Sequence, residues 1–184
     1  CRWMSEARTE RVPAARGRMM AIRGFLCQNV AIGCAFGAFG MTVLPMQQTF
    51  GIGRGMATMG LALAVLVMGL AGPLFVSLMG RIGLRRTMIG GIVLSGVGYV
   101  ALAFAPNIWV VLFCQAVPIG LGLALFGSLP ASILASTWFR PNPGPALGFV
   151  NTPLFLAIIP LLAVPILRWS GMAGLNLALA GLHL

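Results

Sequence analysis

Residues 24–46 read GFLCQNVAIGCAFGAFGMTVLPM, and none of these 23 positions carries a charge. As a helix rising about 1.5 Å per residue the stretch reaches roughly 35 Å, enough to cross a hydrocarbon core of about 30 Å. Uncharged runs follow at 56–79, 87–105, 108–135 and 147–167, and a shorter one at 172–184. The last falls below the roughly 20 residues that crossing requires and reads as a truncated helix. Backbone N–H and C=O groups in hydrocarbon must be satisfied within the protein, which leaves helices or closed barrels. Barrel strands are about 10 residues long and alternate in polarity; these runs are longer and do not alternate. The sequence therefore predicts an all-α polytopic membrane bundle of five full transmembrane helices plus an incomplete sixth.

Composition points the same way. Of 184 residues, 59% are hydrophobic and 8% charged, against about 25% charged in a typical soluble domain. The 25 glycines and 12 prolines are set among long aliphatic runs, which low-complexity chains lack. The net charge of +10 rests on 12 arginines, with no lysine. Six (Arg2, Arg8, Arg11, Arg16, Arg18, Arg23) fall in residues 1–23, and the rest sit in breaks between apolar runs. Without a basic patch interleaved with aromatics, nucleic-acid binding is excluded.

Residues 1–23, which hold both acids, Glu6 and Glu10, read as a disordered basic tail, and 24–184 as the transmembrane bundle. With the tail in the cytoplasm, that side gathers the six tail arginines with Arg81, Arg85, Arg86 and Arg140, while Arg54 and Arg168 lie outside. This is a strong positive-inside bias. The expected location is a bacterial inner membrane with a cytoplasmic N-terminus. Trp109, Trp138 and Trp169 fall at span ends, where amphipathic rings prefer to sit. The chain begins with Cys1 and its last helix stops short, so it reads as a piece of a longer protein.

The four cysteines form no CxxC pair and the one histidine, His183, is next to last, so neither a metal site nor a cofactor is expected. The spans show no interior acid or histidine, the default candidates for proton relay or catalysis, and an enzyme is not indicated. Neutral polar groups remain: Gln28, Asn29 and Thr42 in the first run, Gln115 in the fourth, and Asn151 and Thr152 before Pro153 in the fifth. Such groups serve as interhelical glue or line a solute path; the candidates for substrate binding are Asn29, Gln28, Gln115 and Asn151. Asn29, Gly33, Phe36, Gly37 and Gly40 share one helical face, a mixture suited to a solute path. Pro118, Pro130, Pro153, Pro160 and Pro165 are expected to kink the fourth and fifth helices, as broken helices often do at transporter sites.

Three stretches resemble a known family. Gly72-Pro73-Leu74, followed by Gly80-Arg81-Ile82-Gly83-Leu84-Arg85-Arg86, is similar to the loop between helices two and three of the major facilitator superfamily, roughly G-x-x-x-D-R-x-G-R-R. Phe50-Gly51-Ile52-Gly53-Arg54 resembles the FGWSR segment of that family's monocarboxylate-transporter-like branch. Trp138-Phe139, with Gly144-Pro145-Ala146-Leu147-Gly148, resembles the branch's WFxxxRGxAxG. The departures are Gly80 in place of Asp, Val76 in place of Gly, Leu84 in place of a basic residue and Pro143 in place of Arg. The resemblance implies the N-terminal half of an alternating-access transporter. It also implies a second six-helix half as partner, a monocarboxylate-like substrate near Asn29 and Gln115, and an inner gate loop at Arg81, Gly83, Arg85 and Arg86. The missing Asp and the cut sixth helix leave a second reading, a truncated or non-transporting structural membrane protein.

Overall fold

The computed structural model describes residues 14–139 and 142–183. Residues 1–13 of the expected tail, and Arg140, lie outside them. The first helix begins at Ala14, inside the stretch read as tail, and α1 runs Ala14–Ile32. It continues through a π-helical turn, Gly33–Gly37, into α2, Phe39–Phe50. Then come α3 (Arg54–Leu70), α4 (Gly72–Ile82) and α5 (Leu84–Ala103). The fourth apolar run is built from α6 (Ile108–Cys114), a second π turn (Gln115–Ile119), α7 (Gly120–Phe126) and α8 (Ser128–Trp138). Finally α9 covers Pro143–Val150 and α10 covers Leu154–His183. No strand occurs among the described residues.

By length and apolar character, four helical stretches can cross a membrane: Gly17–Phe50, Leu84–Ala103, Ile108–Trp138 and Pro143–His183. A fifth is added if α3 and α4, bent by 51° at their junction, count as one. This is fewer than the five full spans and truncated sixth expected, and two local features account for the difference. Pro73 in the first turn of α4 can neither donate to nor sit against the preceding turn, so the second run bends at Ala71. The fifth run and the short last one follow each other without a loop. The break expected at Arg168–Gly171 is a single residue, Gly171, at φ 66° and ψ −167°, a conformation open to glycine.

At Pro118 the fourth run changes its helical register. This proline lies inside the second π turn, where a widened register absorbs the missing N–H. Pro130 lies in the first turn of α8, just past the irregular Gly127 (ψ −136°), where a proline is tolerated.

Glycines set how closely the helices approach. A Cβ at Gly91 of α5 would stand 2.6 Å from Leu125 Cβ of α7, and one at Gly122 would stand 2.7 Å from Ser95 Cβ of α5. On the first π turn, a Cβ at Gly33 would meet Phe155 Cβ of α10 at 2.6 Å. Close backbone approach gains dispersion where lipid removes the hydrophobic drive between helices. The buried core joins Cys34, Ala38, Tyr99, Ile119, Phe126, Ile159, Leu175 and Leu179. Both sides of the Gly171 break thus reach the same core. Outward faces are apolar, with Leu161, Trp109 and Trp169 strongly exposed, as suits lipid contact.

Candidate functional site

Two groups of polar side chains stand apart in the bundle. The first surrounds the gap between α9 and α10. Pro153 cannot continue a helix and disfavours helical geometry in the residue before it, so the first N–H groups of α10 need partners from elsewhere. Asn29, fully buried on α1, supplies one of them. Its Oδ1 accepts from the Phe155 N–H at 2.9 Å, and its Nδ2 donates to the carbonyls of Thr152 and Phe25, both at 3.0 Å. The arrangement is an N-cap lent by a neighbouring helix. Gln28 donates to Asn151 Oδ1 at 3.4 Å, while Asn151 donates to the Leu147 carbonyl at 2.9 Å and to Ser132 Oγ at 3.3 Å. Gln28 Oε1 is enclosed without a partner.

The second group borders a cavity of about 410 Å³. It lies between the first π turn and α2, the end of α5, the start of α6 and the part of α10 beyond Gly171. Its polar lining is Thr42, Thr49, Tyr99, Gln115 and Asn176; the remainder is apolar, chiefly Ala, Met, Phe and Leu. Thr42 Oγ1 donates to the Phe39 carbonyl at 2.8 Å. Tyr99, Gln115 and Asn176 are each less than a tenth exposed and line the cavity. Among the described residues, no arginine or carboxylate lines it. Thr49, Phe50, Ala105 and Pro106, at the ends of the first and third apolar runs, also line it.

Of the four residues singled out from sequence, Gln28, Asn29 and Asn151 meet at the α9–α10 gap and Gln115 stands with the cavity. The face shared by Gly33 and Gly37, read as part of a solute path, is covered instead by Phe155, Leu156, Ile159 and Pro160 of α10. Small residues there admit a helix rather than a solute.

Sequence reading missed Tyr99 and Asn176, and it took the spans to hold no ionisable group. His183 corrects that: it is 5% exposed, with its ring 5.0 Å from that of Tyr99 and 5.5 Å, edge-on, from that of Phe126. Its Nδ1 lies 2.8 Å from the Leu179 carbonyl. Leu175, Leu179 and His183 recur at four-residue spacing, the signal of one buried helix face that was legible in the last run.

Arg81 ends α4, and Arg85 and Arg86 open α5. Gly83 between them takes φ 85° and ψ 155°, outside the range of side-chain-bearing residues. All three arginines are exposed. Two cations in a first helical turn face the positive end of the macrodipole, so α5 is not their source of stability.

Over 119 residues, 64% of this chain, the sequence is 31% identical to monocarboxylate transporter 1 of Rattus norvegicus. The matched stretch makes up 24% of that relative's length, so the chain spans about a quarter of the curated protein it matches. No protein-family profile matches the chain. Membrane-length apolar helices and this distant similarity together indicate an integral membrane protein related to transporters, and the relative is not an enzyme.

Proposed function

We propose that this chain is the N-terminal bundle of a secondary transporter of the major-facilitator type, moving a small monocarboxylate-like solute by alternating access. The similarity to monocarboxylate transporter 1 over 119 residues carries the reading. The cavity supports it, because Gln115 from the fourth run lines it together with the C-terminal half of the first. In this reading the bundle rocks against a second bundle supplied by the rest of the transporter, and Gln115 contacts the solute. Gln28, Asn29 and Asn151 hold the broken fifth helix in place beside the solute path. The Arg81, Gly83, Arg85 and Arg86 turn forms the inner gate on the cytoplasmic side, where its charges also keep it in register with anionic headgroups.

Uptake of labelled lactate into vesicles carrying the full-length protein tests this. Gln115→Ala is expected to lower uptake about tenfold, the loss of roughly one hydrogen bond to solute. Uptake equal to the parent's would remove Gln115 from the site, and no uptake by the parent would favour a non-transporting membrane protein.

A further inference from the structure

A groove of about 390 Å³ lies between the start of α1 and the connection from α8 to α9. Its lining comes from Arg18 and Ile22 on α1, from Phe139 and Asn142 between α8 and α9, and from Pro145 and Phe149 on α9. Local packing fixes the aromatic walls. The Asn142 N–H donates to the Phe139 carbonyl at 3.0 Å, closing a turn. Phe139 then lies against α1 at Gly17, where an added Cβ would stand 3.5 Å from its Cζ. Phe149 stacks on Phe25 of α1, with ring centroids 4.8 Å apart and planes 22° from parallel.

The groove is graded along its length. Phe25 meets Phe149 and Gln28 meets Asn151, the same order on both helices, so α1 and α9 enter the bundle from one end. At that end stand Arg18 and Asn142, both exposed. Ile22 lies one helical turn further in, about 6 Å along the axis, and Phe149 lies within the fifth apolar run. Each is about half exposed, at 51% and 48%. An arginine so placed lays its aliphatic stem on apolar surface and keeps its charge in the polar layer. No carboxylate occurs among the described residues, and the whole chain has two against twelve arginines. The counter-charge at this rim therefore comes from outside the described helices. The Arg81–Arg86 turn is also cationic, but its arginines line neither this groove nor the cavity.

We propose that this groove holds one anionic phospholipid, its phosphate on Arg18 beside Asn142 and the start of an acyl chain along Ile22 and Phe149. A cation at the rim with bare aliphatic and aromatic walls behind it matches an anionic head followed by a hydrocarbon tail. The volume, at the low end of small-molecule sites of about 300–1,000 Å³, takes the head and the first part of a chain rather than a whole lipid. The inference goes beyond the transporter reading and is independent of the solute moved.

The test places the full-length protein in phosphatidylcholine nanodiscs doped with a trace of phosphatidylglycerol that carries a photoreactive diazirine in its acyl chain. After illumination, adducts are mapped by peptide mass spectrometry. Adducts are expected on residues 18–25 and 143–150, at a yield about tenfold above that from the same probe on phosphatidylcholine. Arg18→Gln should lower that yield about tenfold, the loss of a charged hydrogen bond, and Arg18→Lys should keep most of it. Adducts around Leu161, an outward residue 74% exposed, report the surrounding lipid and should be the same in all three proteins. Equal yields from the two lipid probes, or an Arg18→Gln yield equal to the parent's, would overturn the proposal. Adducts confined to outward faces such as that of Leu161 would also overturn it and would make the groove a seat for the second bundle. Suppression by millimolar glycerol phosphate would show a site for free phosphate instead of lipid, again against the proposal.

Discussion

At Asn29 one side chain makes three hydrogen bonds to backbone, two of them across to the start of α10. Removing it leaves the Phe155 N–H and the Thr152 carbonyl without those partners in an apolar setting. Asn29→Ala is therefore expected to cost about 1–3 kcal/mol, read as a lower midpoint of denaturant unfolding in micelles. Gln115→Ala frees no backbone group and should cost less than about 1 kcal/mol, while acting on uptake. A stability loss at Gln115 as large as that at Asn29 would make both of them structural glue. The sequence set these amides within apolar runs, as interhelical glue or path lining. It could not divide them, because which carbonyl or cavity an amide meets depends on helices far along the chain, 123 and 126 residues away in the case of Asn29. Tyr99 and Asn176 were hidden for the same reason: within apolar runs, a single hydroxyl or amide looks the same facing lipid, core or cavity.

Among the elements, α5 and α7 touch through Gly91 and Gly122, where an added Cβ would fall within 3 Å of its neighbour. Gly91→Ala and Gly122→Ala are expected to destabilise by about 1–3 kcal/mol through overpacking. Gly90→Ala, one residue along the same helix with nothing within 4 Å, should be neutral or gain up to about 1 kcal/mol from helix propensity. Thermal unfolding of the three variants side by side checks the ordering, and equal effects would mean that α5 and α7 do not meet there. At the basic turn, Gly83→Ala imposes a positive φ on a residue with a Cβ, at a cost of about 1–2 kcal/mol. Helix content was plain from uncharged runs of bilayer length, but helix breaks were less so. Pro73 bends its run by 51°, while Pro118 is absorbed in a π turn. The ring alone does not decide between these outcomes; the packing around it does.

Across the whole molecule, apolar composition and the grouping of arginines were enough to imply a helical membrane bundle. The number of crossings was not, because a one-residue break at Gly171 and a bend at Ala71 leave the count to geometry. The cavity joins the ends of the first, third and fourth apolar runs with the stretch after Gly171. If the bundle crosses the bilayer as proposed, Phe50, Pro106 and Met172 are expected on one side of the membrane and the Arg81–Arg86 turn on the other. Arg54, Arg85 and Arg168 are all exposed and offer the most direct check of this arrangement. Each is replaced singly by cysteine in a background whose native cysteines have been changed to serine, and the sealed vesicles are treated with a membrane-impermeant thiol reagent. Cysteines at 54 and 168 should label from one face and a cysteine at 85 from the other only. Labelling of positions 54 and 85 from the same face would contradict a bundle that crosses the bilayer between them.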